Sequence, residues 1–223
     1  MSDTAGRSCP LRYRYGAEAI ARLSAIDAET LYVVGGLYGN LPALDTIERM
    51  AAAEPGPVTL IFNGDFNWFD VDDAGYAEIN RRVLGHHAIV GNVEAELGVD
   101  GDAAGCGCAY PDHVAGAVVE RSNRIHARLK ATAARHPDIL AALARLPMIA
   151  RFNVGGQRIA VVHGDADSLA GWRFDATALS DPHNQPWLIK TFRRADVDIF
   201  ACTHTCLPAL RRLPPGLIAN NGA

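Results

Sequence analysis

The sequence predicts an α/β fold, with β-structure flanked by helices, and three observations carry the prediction. Short apolar runs alternate with helix-like segments between residues 31 and 90, in the order strand, helix, strand, helix, strand. Those strands are largely apolar, as in sheets covered on both faces. Farther along, Gly155-Gly156 separates two strand-like runs and marks a hairpin.

Residues 31–35 read as a buried strand, because Leu-Tyr-Val-Val is a short apolar run ending in glycines. Residues 41–54 read as a helix. Asn40 suits its cap, Pro42 its first turn, and Leu44, Ile47 and Met50 repeat at helical spacing. Pro55-Gly56-Pro57 stops it. A second buried strand covers 58–63, a helix 76–84 and a third strand 87–90. Residues 98–112, rich in Gly, Cys and Asp, form a loop. Helices over 112–134 and from Pro137 to about 146 follow, and together they read as a helical insertion covering one end of the sheet. Strands are expected at 149–154, 158–162 and 198–202. A loop over 164–186 and a helix over 187–195 lie between the last two. Short strands at 209–213 and 217–220 flank Pro214-Pro215-Gly216. There is no internal repeat, and residues 1–223 are expected to form a single domain.

The totals narrow the class. Hydrophobic residues make up 49% and charged residues 21%, ordinary values for a globular chain. The net charge is −4 and the basic residues cluster only in pairs, such as Arg193-Arg194 and Arg211-Arg212, which argues against a nucleic-acid binder. No apolar run approaches the roughly 18 residues of a membrane span. Residues 1–10 lack the charged-then-apolar pattern of a secretory signal. The five cysteines, Cys9, Cys106, Cys108, Cys202 and Cys206, are odd in number, so reduced thiols in a cytoplasmic protein are expected.

The informative pattern is where the polar residues fall. The second strand ends in Asn63-Gly64-Asp65 and the third in Gly91-Asn92-Val93-Glu94. The 158–162 strand ends in His163-Gly164-Asp165, and the 198–202 strand in Thr203-His204-Thr205-Cys206. Ligands of open α/β sheets bind beyond the carboxyl ends of strands. Four strands therefore deliver Asp65, Asn92, His163 and His204 to one edge. A carboxylate, an amide oxygen and two imidazoles make a donor set suited to Zn, Mn or Fe. Each residue alone has an ordinary explanation, as turn, cap or core histidine; the order and spacing of all four carry the reading.

With these motifs the chain resembles the calcineurin-like metallophosphoesterases over residues 31–223. The family's D-x-H-G-N segment corresponds to Gly36-Leu37-Tyr38-Gly39-Asn40, its G-D to Gly64-Asp65, and its G-N-[HCV]-[DE] to Gly91-Asn92-Val93-Glu94. Its H-G corresponds to His163-Gly164, and its G-H-T-H to Thr203-His204-Thr205-Cys206. The resemblance implies a sandwich of mixed β-sheets flanked by helices. It implies two metal ions sharing Asp65, one of them also held by Asn92, His163 and His204. The other ion's remaining ligands would come from positions 36, 38 and 206, where this chain has Gly36, Tyr38 and Cys206. One site is thus intact and the other altered or lost, with Tyr38 and Cys206 as its remaining candidate ligands. Val93 stands where many members carry a histidine that assists the leaving group, which lowers the expected rate. Similar proteins continue beyond an N-x-G-S turn, so Asn220-Asn221-Gly222-Ala223 suggests a chain that stops short of the last strands.

The function implied is metal-dependent hydrolysis of a small phosphomonoester or phosphodiester by metal-activated water. One or two divalent ions (Mn, Zn or Fe) would serve as cofactor, and nucleic acid would enter only as a phosphodiester substrate. Asp65, His163 and His204 are the candidate catalytic residues; Asn40, Asn92 and Arg121 are candidates for substrate binding, with Asn123, His126 and Arg173 as further polar positions. The losses at Gly36 and Tyr38 motivate an alternative, a catalytically degenerate metal- or ligand-binding protein on the same fold. Cys202, His204 and Cys206 alternate and can share a strand face. Cys106 and Cys108 either help rebuild the altered metal site around Cys206 or form a flexible loop pair. His86-His87 is structural or exposed. Trp68, Trp172 and Trp187 wall the site or pack. Residues 34–39 fail the dinucleotide test, because Val34 stands where the first glycine of G-x-G-x-x-G belongs.

Overall fold

A computed structural model describes residues 4–101 and 103–223. Met1–Asp3 of the polar N-terminus and Asp102 of the 98–112 loop lie outside the described residues. The described residues contain two sheets. The smaller is parallel, β2 (Thr30–Val34), β3 (Val58–Asn63) and β4 (His87–Ile89) in that order. The larger is mixed and runs β1 (Ile26–Asp27), β5 (Ile149–Val154), β6 (Gln157–Val162), β7 (Ile199–Cys202), β9 (Gly216–Asn220), β8 (Ala209–Leu213). The hairpin between β5 and β6 turns through Gly155 and Gly156, both at positive φ (54° and 78°), as a two-residue turn of the primed type requires.

Alternating side chains stack the sheets face to face. On β3, Ile61 points toward the larger sheet and meets Phe152, Val161 and Ala201, while Leu60 and Phe62 point the other way. There they meet α2 (Leu41–Ala52), α3 (Asp73–Val83), α5 (Gly116–Ala133) and α6 (Pro137–Leu143) through Leu44, Ile79, Leu129 and Leu143. On the far side of the larger sheet, Val162, Phe200 and Ile218 pack against α1 (Ala17–Ala21) and α8 (Gln185–Ala195) through Ile20, Leu188 and Phe192. The result is helices, three strands, six strands, helices.

Several boundaries differ from the sequence reading. Helix α3 starts at Asp73, not 76, because Asp72 accepts the Gly75 N–H at 2.8 Å and caps it. Helix α5 starts at Gly116, not 112, because the Val114 N–H closes a turn onto Pro111. Helices α1, α4 (Asn92–Leu97) and α7 (Ala176–Ser180) and strand β1 lie outside the expected elements; each has six residues or fewer, too few to show a period. Strand β7 stops at Cys202, and the Cys206 N–H folds back on Thr203 O at 2.9 Å. Cys202 consequently points into the helical side of the core and Cys206 is exposed, so the two do not share a face with His204. Cys106 and Cys108 are joined as a disulfide rather than reduced, since Gly107 at φ 69° folds the intervening backbone. Cys9, Cys202 and Cys206 are free thiols.

Candidate metal centre

Strands β3, β4 and β6 end together, and their tips interlock through glycines. Gly64 (φ 78°) lies so close to the β4 tip that a Cβ on it would sit 2.5 Å from the Gly91 backbone and 2.7 Å from His163 Nδ1. The next residue, Asp65, is itself in the left-handed region at φ 55°. Non-glycine backbone of this kind is costly and concentrates at functional sites.

Asp65, His163 and His204 converge, with one ligand atom of each within 4.8 Å of the others. Asn92 completes the group. His163 Nε2 is 3.2 Å from Asp65 Oδ2, 3.0 Å from Asn92 Oδ1 and 3.3 Å from His204 Nδ1. Asn92 and His163 are fully buried, and Asp65 and His204 are each 6% exposed.

The outer contacts decide which atoms face inward. A carbonyl oxygen only accepts, so His163 Nδ1–H donates to Asn63 O (2.7 Å), which leaves the Nε2 lone pair pointing at the cluster. His204 Nε2–H donates to Cys108 O (3.0 Å), which leaves its Nδ1 lone pair pointing there too. Asn92 Nδ2 donates to Cys106 O (2.9 Å), so its Oδ1 is the inward atom. Asp65 Oδ1 accepts from Val93 N–H (3.0 Å), freeing Oδ2. Four electron-pair donors therefore meet in a buried space, an arrangement that is repulsive unless a proton or a cation sits among them. The donor set fits a divalent cation.

The ionisation behaviour agrees. Burial opposes charging of His163, but Asp65, the Asn63 carbonyl and Glu94 outweigh it, and the imidazole lies above its usual value. Burial, then the neighbouring His163, pushes His204 down to about 3. Burial also opposes ionisation of Asp65, yet His163 and the other donors hold its carboxyl below the usual range. With no cation, Asp65 and His163 thus each favour the charged form of the other.

Glu94, beside Asn92 in the Gly91-Asn92-Val93-Glu94 segment, has a role that the sequence does not assign. Its buried carboxylate accepts from Asp65 N–H (2.8 Å) and Gly91 N–H (3.0 Å) through Oε2, and from Asn67 N–H (3.1 Å) and Nδ2 (3.2 Å) through Oε1. It clamps the β3 and β4 tips together. Its position as third residue of α4, reaching back to the Gly91 N–H, is a legible capping signal. The carbonyls of Asn63, Cys106 and Cys108 had no such signal, because any residue supplies one.

The remaining candidates are placed differently. Tyr38 and Cys206 come together, with the Tyr38 hydroxyl 2.9 Å from Cys206 Sγ. Asn40 caps α2, accepting from Ala43 N–H at 3.0 Å. Arg121 is exposed on α5. Asn123 accepts the Cys106 N–H and donates to Ala5 O. His126 is buried, its Nε2 donating to Val93 O. Asp165 accepts three loop N–H groups, those of Asp167, Ser168 and Arg173. Trp172 stands edge-on to His204 (5.4 Å) and donates to Cys108 O, so it does wall the centre. Trp187 packs on Phe174 and carries the Arg173 guanidinium on its face at 4.6 Å. No helix among the described residues is long and apolar enough to cross a membrane.

No family model and no curated protein sequence matches the chain. Solved structures do. A hypothetical protein from Pyrococcus horikoshii OT3 superposes with a TM-score of 0.56 at 15% identity, over 89% of this chain and 77% of that one. A metallophosphoesterase from Sphaerobacter thermophilus superposes with a TM-score of 0.54 at 17% identity, over 88% and 77%. At these identities the likeness concerns the fold.

Proposed function

We propose that this chain, which has the calcineurin-like metallophosphoesterase fold, hydrolyses a small phosphorylated substrate with the help of a divalent cation. The observation that carries the reading is the convergence of Asp65 Oδ2, Asn92 Oδ1, His163 Nε2 and His204 Nδ1, each aimed inward by a separate backbone contact. A cation bound there supplies Lewis-acid polarisation of a phosphoryl oxygen and acidification of water. The chain's own contribution is geometric and electrostatic. Asp65 provides the negative charge, and the two imidazoles are oriented by carbonyls, each with one ring nitrogen turned inward. The interlocked tips prevent the ligands from spreading.

A second feature favours an anionic substrate. Beside the centre lies a cleft of about 410 Å³ lined by Arg7, Arg14 and Arg173 together with Asp165 and Asp167, the Arg7 guanidinium being held by the Pro111 and Val114 carbonyls. Ala109 and Gly171 also line it, and they adjoin Cys108 and Trp172, both of which touch His204. Asp165 is engaged by backbone N–H groups, and the Arg14 and Arg173 side chains are exposed. The alternative, a binding protein that does not turn over, is favoured by one observation, the pairing of Tyr38 with Cys206.

The test is hydrolysis of nitrophenyl phosphate and bis-nitrophenyl phosphate by the protein stripped with EDTA and reloaded with Mn. Activity that disappears on stripping and returns on loading supports the hydrolase. Loaded wild type no faster than Asp65→Ala refutes it, and in that case an ion retained by wild type but not by the variant favours the binding protein.

A further inference from the structure

We infer that the centre holds one divalent cation, because the Tyr38–Cys206 pair occupies the place where the metallophosphoesterase pattern sets a second. The inference rests on the metal-centre reading above and concerns how many ions it takes. In that pattern a second ion would share Asp65 and draw its other ligands from positions 36, 38 and 206. The structure brings those positions together, but not as a ligand set.

Gly36 has no side chain to offer and no room for one. A Cβ there would lie 2.6 Å from Tyr38 Cε1 and 2.9 Å from Ala223 Cβ, closer than carbon atoms approach without displacement. The space a ligand at 36 would use is filled by the Tyr38 ring. That ring is fixed. Phe69, four residues after Asp65, packs edge-on against it at 5.7 Å, and the Gly39 N–H donates to Phe66 O at 2.8 Å. The Tyr38 hydroxyl and Cys206 sulfur then satisfy each other at 2.9 Å. Tyr38 and Cys206 both hold positive φ, 55° and 64°, so both sit in tight turns of the backbone where they meet. Among the described residues, the acid, imidazole and thiol groups able to share an ion are those of Asp65, His163 and His204, without Cys206. The adjoining cavity of about 320 Å³, bordered by Gly36, Tyr38 and Asn40, has no carboxylate side chain, imidazole or thiol in its lining.

The experiment counts ions. The full chain is stripped with a chelator, loaded with Co(II), freed of excess metal, and assayed for cobalt per chain by mass spectrometry. One ion is expected, with no thiolate-to-cobalt charge-transfer absorption. Two ions, or a charge-transfer band that vanishes in Cys206→Ser, overturns the inference while leaving the metal centre standing. No bound ion overturns the centre and this inference with it. Tyr38→Phe keeps the ring and is expected to stay at one ion; a count of two there also overturns the inference. The triple variant Gly36→Asp, Tyr38→His, Cys206→His replaces the phenol with the smaller imidazole and supplies a carboxylate and two imidazoles in all. It is expected to take up two. A folded triple variant that still binds one shows that these side chains are not the obstacle.

Discussion

The substitution Glu94→Gln isolates the clamp beneath the centre. The carboxylate accepts four N–H groups, two on each oxygen, at 2.8–3.2 Å. A glutamine keeps one oxygen and presents an NH2 to the other pair, so two buried N–H groups lose their acceptor and face a donor. Each bond to a charged group contributes about 1.5–3 kcal/mol, giving a gross loss of about 3–6 kcal/mol. Part of this is recovered. Burial, then the nearby Asp65, raises the Glu94 pKa above its usual value, so removing the charge relieves a penalty. A net loss of about 2–4 kcal/mol follows, or about 5–15 °C in Tm for a chain of this length. Urea and thermal unfolding of the metal-free protein measure it, with the exposed Glu120→Gln as control. Loss of clamping also weakens cation affinity about 10–100-fold, read by competition with a chelating dye. Glu94→Gln within about 0.5 kcal/mol of wild type, with unchanged affinity, refutes the clamp.

Other outcomes test neighbouring parts of the argument. Asp70 is 4% exposed with Oδ2 unpartnered, and burial, then Asp72, raises it to about 7. An acid raised in the folded state costs stability as pH climbs from its ordinary 3.8 through 7, so Asp70→Asn is expected to stabilise by about 1–3 kcal/mol at pH 8. The gain fades toward pH 4, and equal unfolding midpoints for wild type and variant at pH 8 contradict it. His204 protonates near 6.5 when unfolded but near 3 when folded, so in the metal-free protein its contribution falls as pH drops from 6.5 toward 3. Stability-versus-pH curves of wild type and His204→Asn should diverge in slope by up to ~1.4 kcal/mol per pH unit in that window, and parallel curves remove the claim. The double variant Cys106→Ser, Cys108→Ser is expected to keep its cation, since the loop holds Asn92 and His204 through the carbonyls of Cys106 and Cys108, and of these two side chains Cys108 Sγ meets only the Asn92 NH2, at 3.5 Å, not the inward Oδ1. Loss of the ion from a folded double variant would return the sulfurs to the ligand shell.

What the sequence determined by itself was local in origin. Apolar runs and turn glycines located the strands at 58–63 and 149–154, whose bounds match Val58–Asn63 and Ile149–Val154, and the polar tips identified Asp65, Asn92, His163 and His204 as a group. These signals survive in one sequence because a strand's pattern and its closing turn lie within a few residues. Tertiary structure decided the rest. It divided the strands between two sheets, joined Cys106 to Cys108, and chose the inward atom of each imidazole through carbonyls 100 and 96 residues away. It also set Tyr38 against Cys206 across 168 residues. Contacts over such distances depend on how packed layers settle, and a backbone carbonyl or the direction of a ring leaves no mark in residue identity.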